Sequence, residues 1–334
     1  MKFGAVPLAQ SVGAFVAHAV RLETLVLKKG DVIRPEHVAV LREAGLSEII
    51  VAQLDAGDVG EDVAAARLAQ VIAGKNIRAD RAFTGRTNLF AEVDGLLVVE
   101  APCVDAVNAV DEAITLATLK PMQRVVAGDM VATVKIIPFA VPGKMLEDAI
   151  AAAELCRLRV APFRAQKIGV ISTLLPGLKP SVIAKTLRVL AQRLEVAGAE
   201  ICVEVRVPHV AQALSEAIVA LESQCDVVII FGASAITDRR DVIPSAVERS
   251  GGRIEHFGMP VDPGNLLLLA ETKLGKPLLG APGCARSPKE NGFDWVLQRI
   301  LADVPVRAAD IRRMGAGGLL MEIVTRPQPR LPHE

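Results

Sequence analysis

The stretch DVVIIFGASAITDRRDVIPSAV, residues 226–247, decides the reading of this chain. An apolar, β-branched run of strand length enters a loop of small residues. A polar segment follows, and then a helix opened by Asp241. A short apolar run bounded by turn residues reads as a strand buried on both faces, the environment of a parallel sheet. Gly232, Ala233, Ser234 and Ala235 leave the backbone open to close approach, while Ser234 and Thr237 add hydroxyls. A helix N-terminus behind such a loop favours anions. On composition alone the segment is equally a plain strand-to-helix turn, and Asp241 equally a helix N-cap.

The same rhythm extends outward on both sides. KIGVIST (167–173), AEICVEVRV (199–207) and DVVIIFG (226–232) read as strands. They alternate with amphipathic helices over 180–198, 209–223 and 240–252. RIEHFG (253–258), LLLLAET (266–272) and KPLLGAPG (276–283) are strand-like, and SPKENGFDWVLQRILAD (287–303) is the last long helix. Alternating strands and helices predict an open parallel sheet with helices on both faces. Ligands of such sheets bind at the carboxyl ends of the strands.

Before residue 166 the elements are smaller and mixed. A Lys-Lys-Gly turn closes VLKKGDVI (26–33), RPEHVAVLREAG (34–45) reads as a helix, and SEIIVAQL (47–54) as a strand. Helices are expected over 60–74, 105–114 and 144–157, with β-rich runs at 95–101 and 130–141. The domain scheme is therefore 1–165, a smaller α+β domain; 166–305, the α/β domain; and 306–334, a C-terminal extension whose RPQPRLPHE tip is expected to be disordered.

Bulk properties narrow the function. The 334 residues carry 38 Lys+Arg and 38 Asp+Glu. No basic excess advertises a nucleic-acid partner. Nine Phe, one Trp and no Tyr leave little for base stacking. No apolar run reaches the ~18 residues of a membrane span. The five scattered cysteines lack CxxC spacing, so reduced thiols in a cytoplasmic protein are expected.

These motifs resemble the molybdopterin-binding domain of molybdenum-cofactor biosynthesis proteins. Gly232-Ala233-Ser234 stands where that family has a Gly-Gly-Thr/Ser loop, and Arg239-Arg240-Asp241-Val242 is similar to the Arg-Arg-Asp-Val of its adenylyltransferase branch. A second match spans 261–288. Asp262-Pro263-Gly264-Asn265 replaces a Pro-Gly-Lys-Pro segment, and Ala281-Pro282-Gly283-Cys284-Ala285 replaces Leu-Pro-Gly-Asn-Pro, ahead of a helix capped near Ser287-Pro288. The N-terminal half also resembles molybdotransferases over 26–52, and related molybdopterin-binding proteins over 58–69 and 84–100.

The resemblance implies a pterin held by Gly232, Ala233, Ser234, Thr237, Arg240, Pro263, Gly264, Pro282, Gly283 and Cys284, with Arg286 and Lys289 neutralising its phosphate. Asp241 then takes the place of a catalytic carboxylate that holds Mg2+ or orients a phosphate. Cys284 lies near a helix N-terminus, where thiolates are stabilised, and is a candidate for sulfur or molybdenum handling; the alternative for it is a small packing residue. Arg86 and Asn88, in the FTGRTNLF run, are weaker polar candidates, and the alternative for them is a solvated hairpin.

Two departures bear on catalysis. Val207-Pro208-His209 puts a histidine where the adenylyltransferase branch has Ile-Pro-Asp, and Ser172-Thr173-Leu174-Leu175 replaces Thr-Gly-Asp-Glu. Two readings follow from the resemblance. One is a molybdotransferase-like enzyme carrying out Mg-dependent molybdenum insertion or nucleotidyl-pterin chemistry. The other is a non-catalytic carrier or chaperone of molybdopterin, or of its nucleotidyl form, for a molybdoenzyme client. Homo-oligomers are expected in either case.

Overall fold

The computed structural model describes residues 1–155 and 157–320. The RPQPRLPHE tip lies outside the described residues. Contacts divide the chain into two compact units, Met1–Ala161 and a second beginning at Pro162.

The first unit opens with a small antiparallel sheet. Glu48–Gln53 lies between Lys2–Pro7 and Phe15–Val16, and the helix Pro35–Glu43 packs beside it through Leu41. Gly30 closes the Lys-Lys-Gly turn at φ +88°, a backbone region that glycine enters without a Cβ penalty. The rest of the unit packs helices Glu61–Ile72 and Gly143–Glu154 with a four-stranded antiparallel sheet centred on Met130–Ile136 and Arg86–Ala91.

Three expectations for this unit are corrected. The helix expected over 105–114 is Ala101–Asn108, and Ile114 already begins a strand. The Asn108 side chain ends it, donating to the carbonyl of Leu116 and accepting from its N–H. Asn88 sits inside a strand rather than a turn. Thr133 donates to Asn88 and accepts from Arg86, so both polar candidates are spent within the sheet. Cys202, Cys225 and Cys284 are free thiols, but Cys103 is disulfide-bonded.

The second unit is α/β, with one six-stranded sheet. We number its elements β1 Lys167–Leu174, α1 Pro180–Glu195, β2 Glu200–Pro208, α2 Ala211–Glu222, β3 Val227–Phe231, α3 Val242–Arg249, β4 Arg253–Phe257, β5 Leu268–Glu271, β6 Pro277–Ala281, α4 Gly292–Leu301 and α5 Ala308–Arg312. The strand order is β2-β1-β3-β6-β5-β4. The first four strands are parallel, whereas β5 pairs antiparallel with both β6 and β4. The parallel reading holds for the centre of the sheet. Only β5 runs against the others, because connections without a crossover helix join β4 to β5 and β5 to β6.

Alternation along β3 shows how the apolar run builds two cores. Val227, Ile229 and Phe231 face one layer with Leu190 and Leu194 of α1 and with Phe293 and Leu297 of α4. Val228 and Ile230 face the other layer, with Leu214 and Ile218 of α2 and Ile243 and Val247 of α3. Successive strand side chains point to opposite faces, so a strand buried on both sides must be apolar throughout. Ile311 and Met314 bury in the first of these cores, tying the segment after residue 305 to this sheet.

Candidate functional site

The chain order of the sheet locates a crevice. From β1 the chain passes through α1 to β2 on one side, then through α2 to β3 on the other side of β1. The connections therefore diverge between β1 and β3, the topological switch point where open α/β sheets bind ligands at the strands' carboxyl ends.

Three strand ends meet there through side chains. Thr173, at the end of β1 and 1% exposed, accepts a hydrogen bond from the Ala233 N–H beyond β3 at 2.8 Å. The same hydroxyl lies 2.8 Å from Nδ1 of His209, just past β2. His209 also anchors its backbone N–H on the carbonyl of Leu174. The chain His209–Thr173–Ala233 thus crosses the carboxyl edge of three adjacent strands.

Gly232 sets the shape of the loop after β3. A Cβ built there would lie 2.7 Å from the Ser234 carbonyl oxygen and 2.8 Å from Cδ1 of Ile243. Only glycine fits without displacing backbone. Ser234 and Thr237 are exposed. Asp241 caps α3, accepting from the Val242 N–H at 2.7 Å with one oxygen and from the Thr237 N–H at 3.2 Å with the other. Arg240 is exposed and paired with Asp238, and its guanidinium holds that carboxyl at about 2.

The second expected loop is its neighbour, since Phe231 of β3 pairs with Ala281 of β6. Arg286 joins the two loops. It donates to the Gly232 carbonyl at 2.7 Å and to the Thr186 hydroxyl of α1 at 2.9 Å, and it lies over the Phe231 ring. Burial pushes its pKa down. Those contacts spend the side chain on holding the loops together. Gly283 is exposed with nothing within 4 Å of a built Cβ, so its backbone is open to approach, and Lys289 is exposed beyond it.

Gly264 faces elsewhere. At φ +144°, it packs against the first residue of α4, where a Cβ would lie 2.8 Å from the Gly292 backbone, and Pro263 accepts the Gly292 N–H. The α4 N-terminus is therefore covered by protein. Its cap is Asn291, in a reciprocal box with Asp294, and not the Ser287-Pro288 pair expected from the sequence. Residues 283–286 form a separate 3-10 turn, so Cys284 lies off the α4 axis. Burial pushes its thiol up, which corrects the expected thiolate. Without an adjacent helix dipole the charged form has nothing to offset its desolvation.

Arg193 is the residue that the sequence did not disclose. Its guanidinium donates to Asp294 and to the carbonyls of Ala285, Ser287 and Lys289, holding the whole 285–289 segment. In sequence it is one more cation on an amphipathic helix. The structure also carries a cavity of about 470 Å³ at the opposite end of the sheet, lined in part by Gln166, Asp226 and Pro277 at the strand starts, and it contains none of the expected site residues. Among the described residues, no group of three or more His, Cys, Asp or Glu side chains is placed to hold a metal ion. No helix among them is long and apolar enough to cross a membrane.

Residues 172–303 match the family described as "Probable molybdopterin binding domain", and residues 5–53 match a domain family of unknown function. The match spans the crevice from Ser172 to the end of α4. Among solved structures, a molybdopterin biosynthesis MoeA protein from Pyrococcus horikoshii is 17% identical, with 91% of this chain and 76% of that one covered and a TM-score of 0.31. A molybdenum cofactor biosynthesis protein from Pyrococcus furiosus is 12% identical, covers 91% and 64%, and scores 0.27. The molybdopterin biosynthesis enzyme MoaB of Thermus thermophilus is 12% identical, covers 46% and 98%, and scores 0.26. Among curated proteins none matches the chain.

Proposed function

We propose that this chain, whose residues 172–303 belong to the molybdopterin-binding domain family, binds molybdopterin at the carboxyl ends of β1, β3 and β6 and acts in molybdenum-cofactor biosynthesis as a carrier. The observation that carries the reading is the coincidence of the family match with the switch-point crevice. There the loop after Gly232 and the open backbone at Gly283 lie on adjacent strands. Ala233, Ser234 and Thr237 line the first loop; Pro282, Gly283 and Cys284 line the second; Arg240 and Lys289 stand at the exposed rim. On this reading residues 166–305 are the pterin domain of a cytoplasmic homo-oligomer that delivers molybdopterin or its nucleotidyl form to a molybdoenzyme client.

The carrier reading is preferred over Mg-dependent transfer because of the donor set. Mg2+ bound with a ligand's phosphates still draws on one or two protein carboxylates. Asp241 is the one carboxylate expected at this site, and both of its oxygens already accept backbone N–H groups. The residues do not fit a resident Mg2+, and no catalytic step is derived through one.

Fluorescence titration of the full chain with molybdopterin tests the proposal. Saturable micromolar binding that persists in EDTA is expected. Absence of binding overturns the pterin assignment, and Mg2+-dependent turnover of ATP or nucleotidyl-pterin overturns the carrier role.

A further inference from the structure

The hydrogen-bond chain at the switch point favours one tautomer of the His209 ring. Thr173 Oγ1 accepts from Ala233 N–H, and its own proton needs an acceptor in a buried setting. A hydroxyl proton left without one costs free energy. The acceptor within reach is Nδ1 of His209, at 2.8 Å. With Nδ1 accepting, the neutral ring carries its proton on Nε2. Nε2 has no protein partner among the described residues, and the ring is only half-buried. A directed N–H donor therefore stands at the end of β2, beside the crevice, held by two neighbouring strands.

We propose that His209, oriented by Thr173, is the residue that binds the phosphate of the ligand, doing with an N–H donor what a carboxylate-bound cation would do elsewhere. The inference rests on the pterin reading above. It follows from two observations taken together: among the described residues the strand ends hold no group of ligating side chains that could recruit a metal, and they do hold an imidazole oriented by a buried hydroxyl. A carboxylate at position 209 would repel a phosphate unless a cation intervened. An imidazole Nε2–H meets it directly, with no dehydration of a metal ion. Thr173 is a positioning residue, since it acts only through the ring.

Nitrogen-15 NMR of the ligand-free protein reads the tautomer directly: a protonated Nε2 and a bare Nδ1 are expected, and the reverse overturns the proposal. Thr173→Ser keeps the pattern, and Thr173→Val loses its single-tautomer signature while the backbone spectrum reports a retained fold. Titration with inorganic phosphate shifts the His209 ring signals; unchanged signals overturn the role. With molybdopterin, His209→Ala weakens binding about 10- to 100-fold, as for loss of a charge-assisted hydrogen bond. His209→Gln, which retains an N–H donor, recovers most of it, and His209→Asp binds only when Mg2+ is added. Wild-type affinity in His209→Ala overturns the inference while leaving the pterin reading intact. Failure of wild type to bind molybdopterin, with phosphate still shifting His209, overturns the pterin reading instead.

Discussion

Arg193 of α1 and Asp294 of α4 are joined by a hydrogen-bonded ion pair, Nε to Oδ1 at 2.5 Å, with each side chain only 10% exposed. The pair does two jobs at once. Asp294 also accepts the Asn291 N–H, closing the cap of α4, and Arg193 holds three carbonyls of the loop before that helix. The cap of α4 and the 285–289 loop are thus coupled through one guanidinium.

Removing either partner leaves a lone buried charge, which costs about 3–5 kcal/mol. Arg193→Leu and Asp294→Leu are each expected to lower stability by that order in urea unfolding. The double variant loses less than the sum, because it leaves no unpaired charge behind. Strict additivity would refute the coupling.

The two glycines of the expected site should respond oppositely to the same change. Gly232→Ala places a methyl against the Ser234 carbonyl and Ile243, and overpacking of that kind costs about 1–3 kcal/mol. Displacing residue 232 also strains the Arg286 bond to its carbonyl. Gly283→Ala meets open space and is expected to stay within about 0.5 kcal/mol of wild type. Thermal unfolding of the two variants compares them directly; equal losses would contradict the packing described.

His256 of β4 makes the sheet acid-sensitive. Burial lowers its pKa from the ordinary 6.5, Arg312 and Arg239 lower it further, and Glu255 opposes them. A depressed folded value means the native state favours the neutral ring. Its contribution is therefore fully present above 6.5 and is lost as pH falls from there through the folded value. Urea midpoints measured across that window should fall towards acid in wild type and fall less steeply in His256→Gln. Identical slopes would remove His256 as the cause.

Much of the fold was legible in residue order. The runs at 167–173 and 226–232 are strands because apolar, largely β-branched residues in succession are buried on both faces, while 199–207 alternates with Glu200, Glu204 and Arg206 and forms the exposed edge strand; the helices between them carry the matching apolar stripes. The N-cap role of Asp241 was also written in the residue type. The start of α4 was not. Ser287-Pro288 has the chemistry of a cap, yet Asn291 prevails because Asp294, held by Arg193, completes the box from the other side.

The candidate site divides along the same line. Local sequence by itself determined the small-residue loop after β3, the glycine at 283, and Leu174, Leu175 and His209 where the resembled family carries carboxylates. Those are properties of single positions and of their immediate neighbours. Only the tertiary structure decided that Thr173, His209 and Ala233, drawn from three strands, form one hydrogen-bonded row, and that Arg286 serves the scaffold. The reason is physical. A parallel sheet brings strand ends together only through crossovers of about a dozen residues or more, and the direction of a hydroxyl or a guanidinium is set by whichever acceptor that packing leaves within reach.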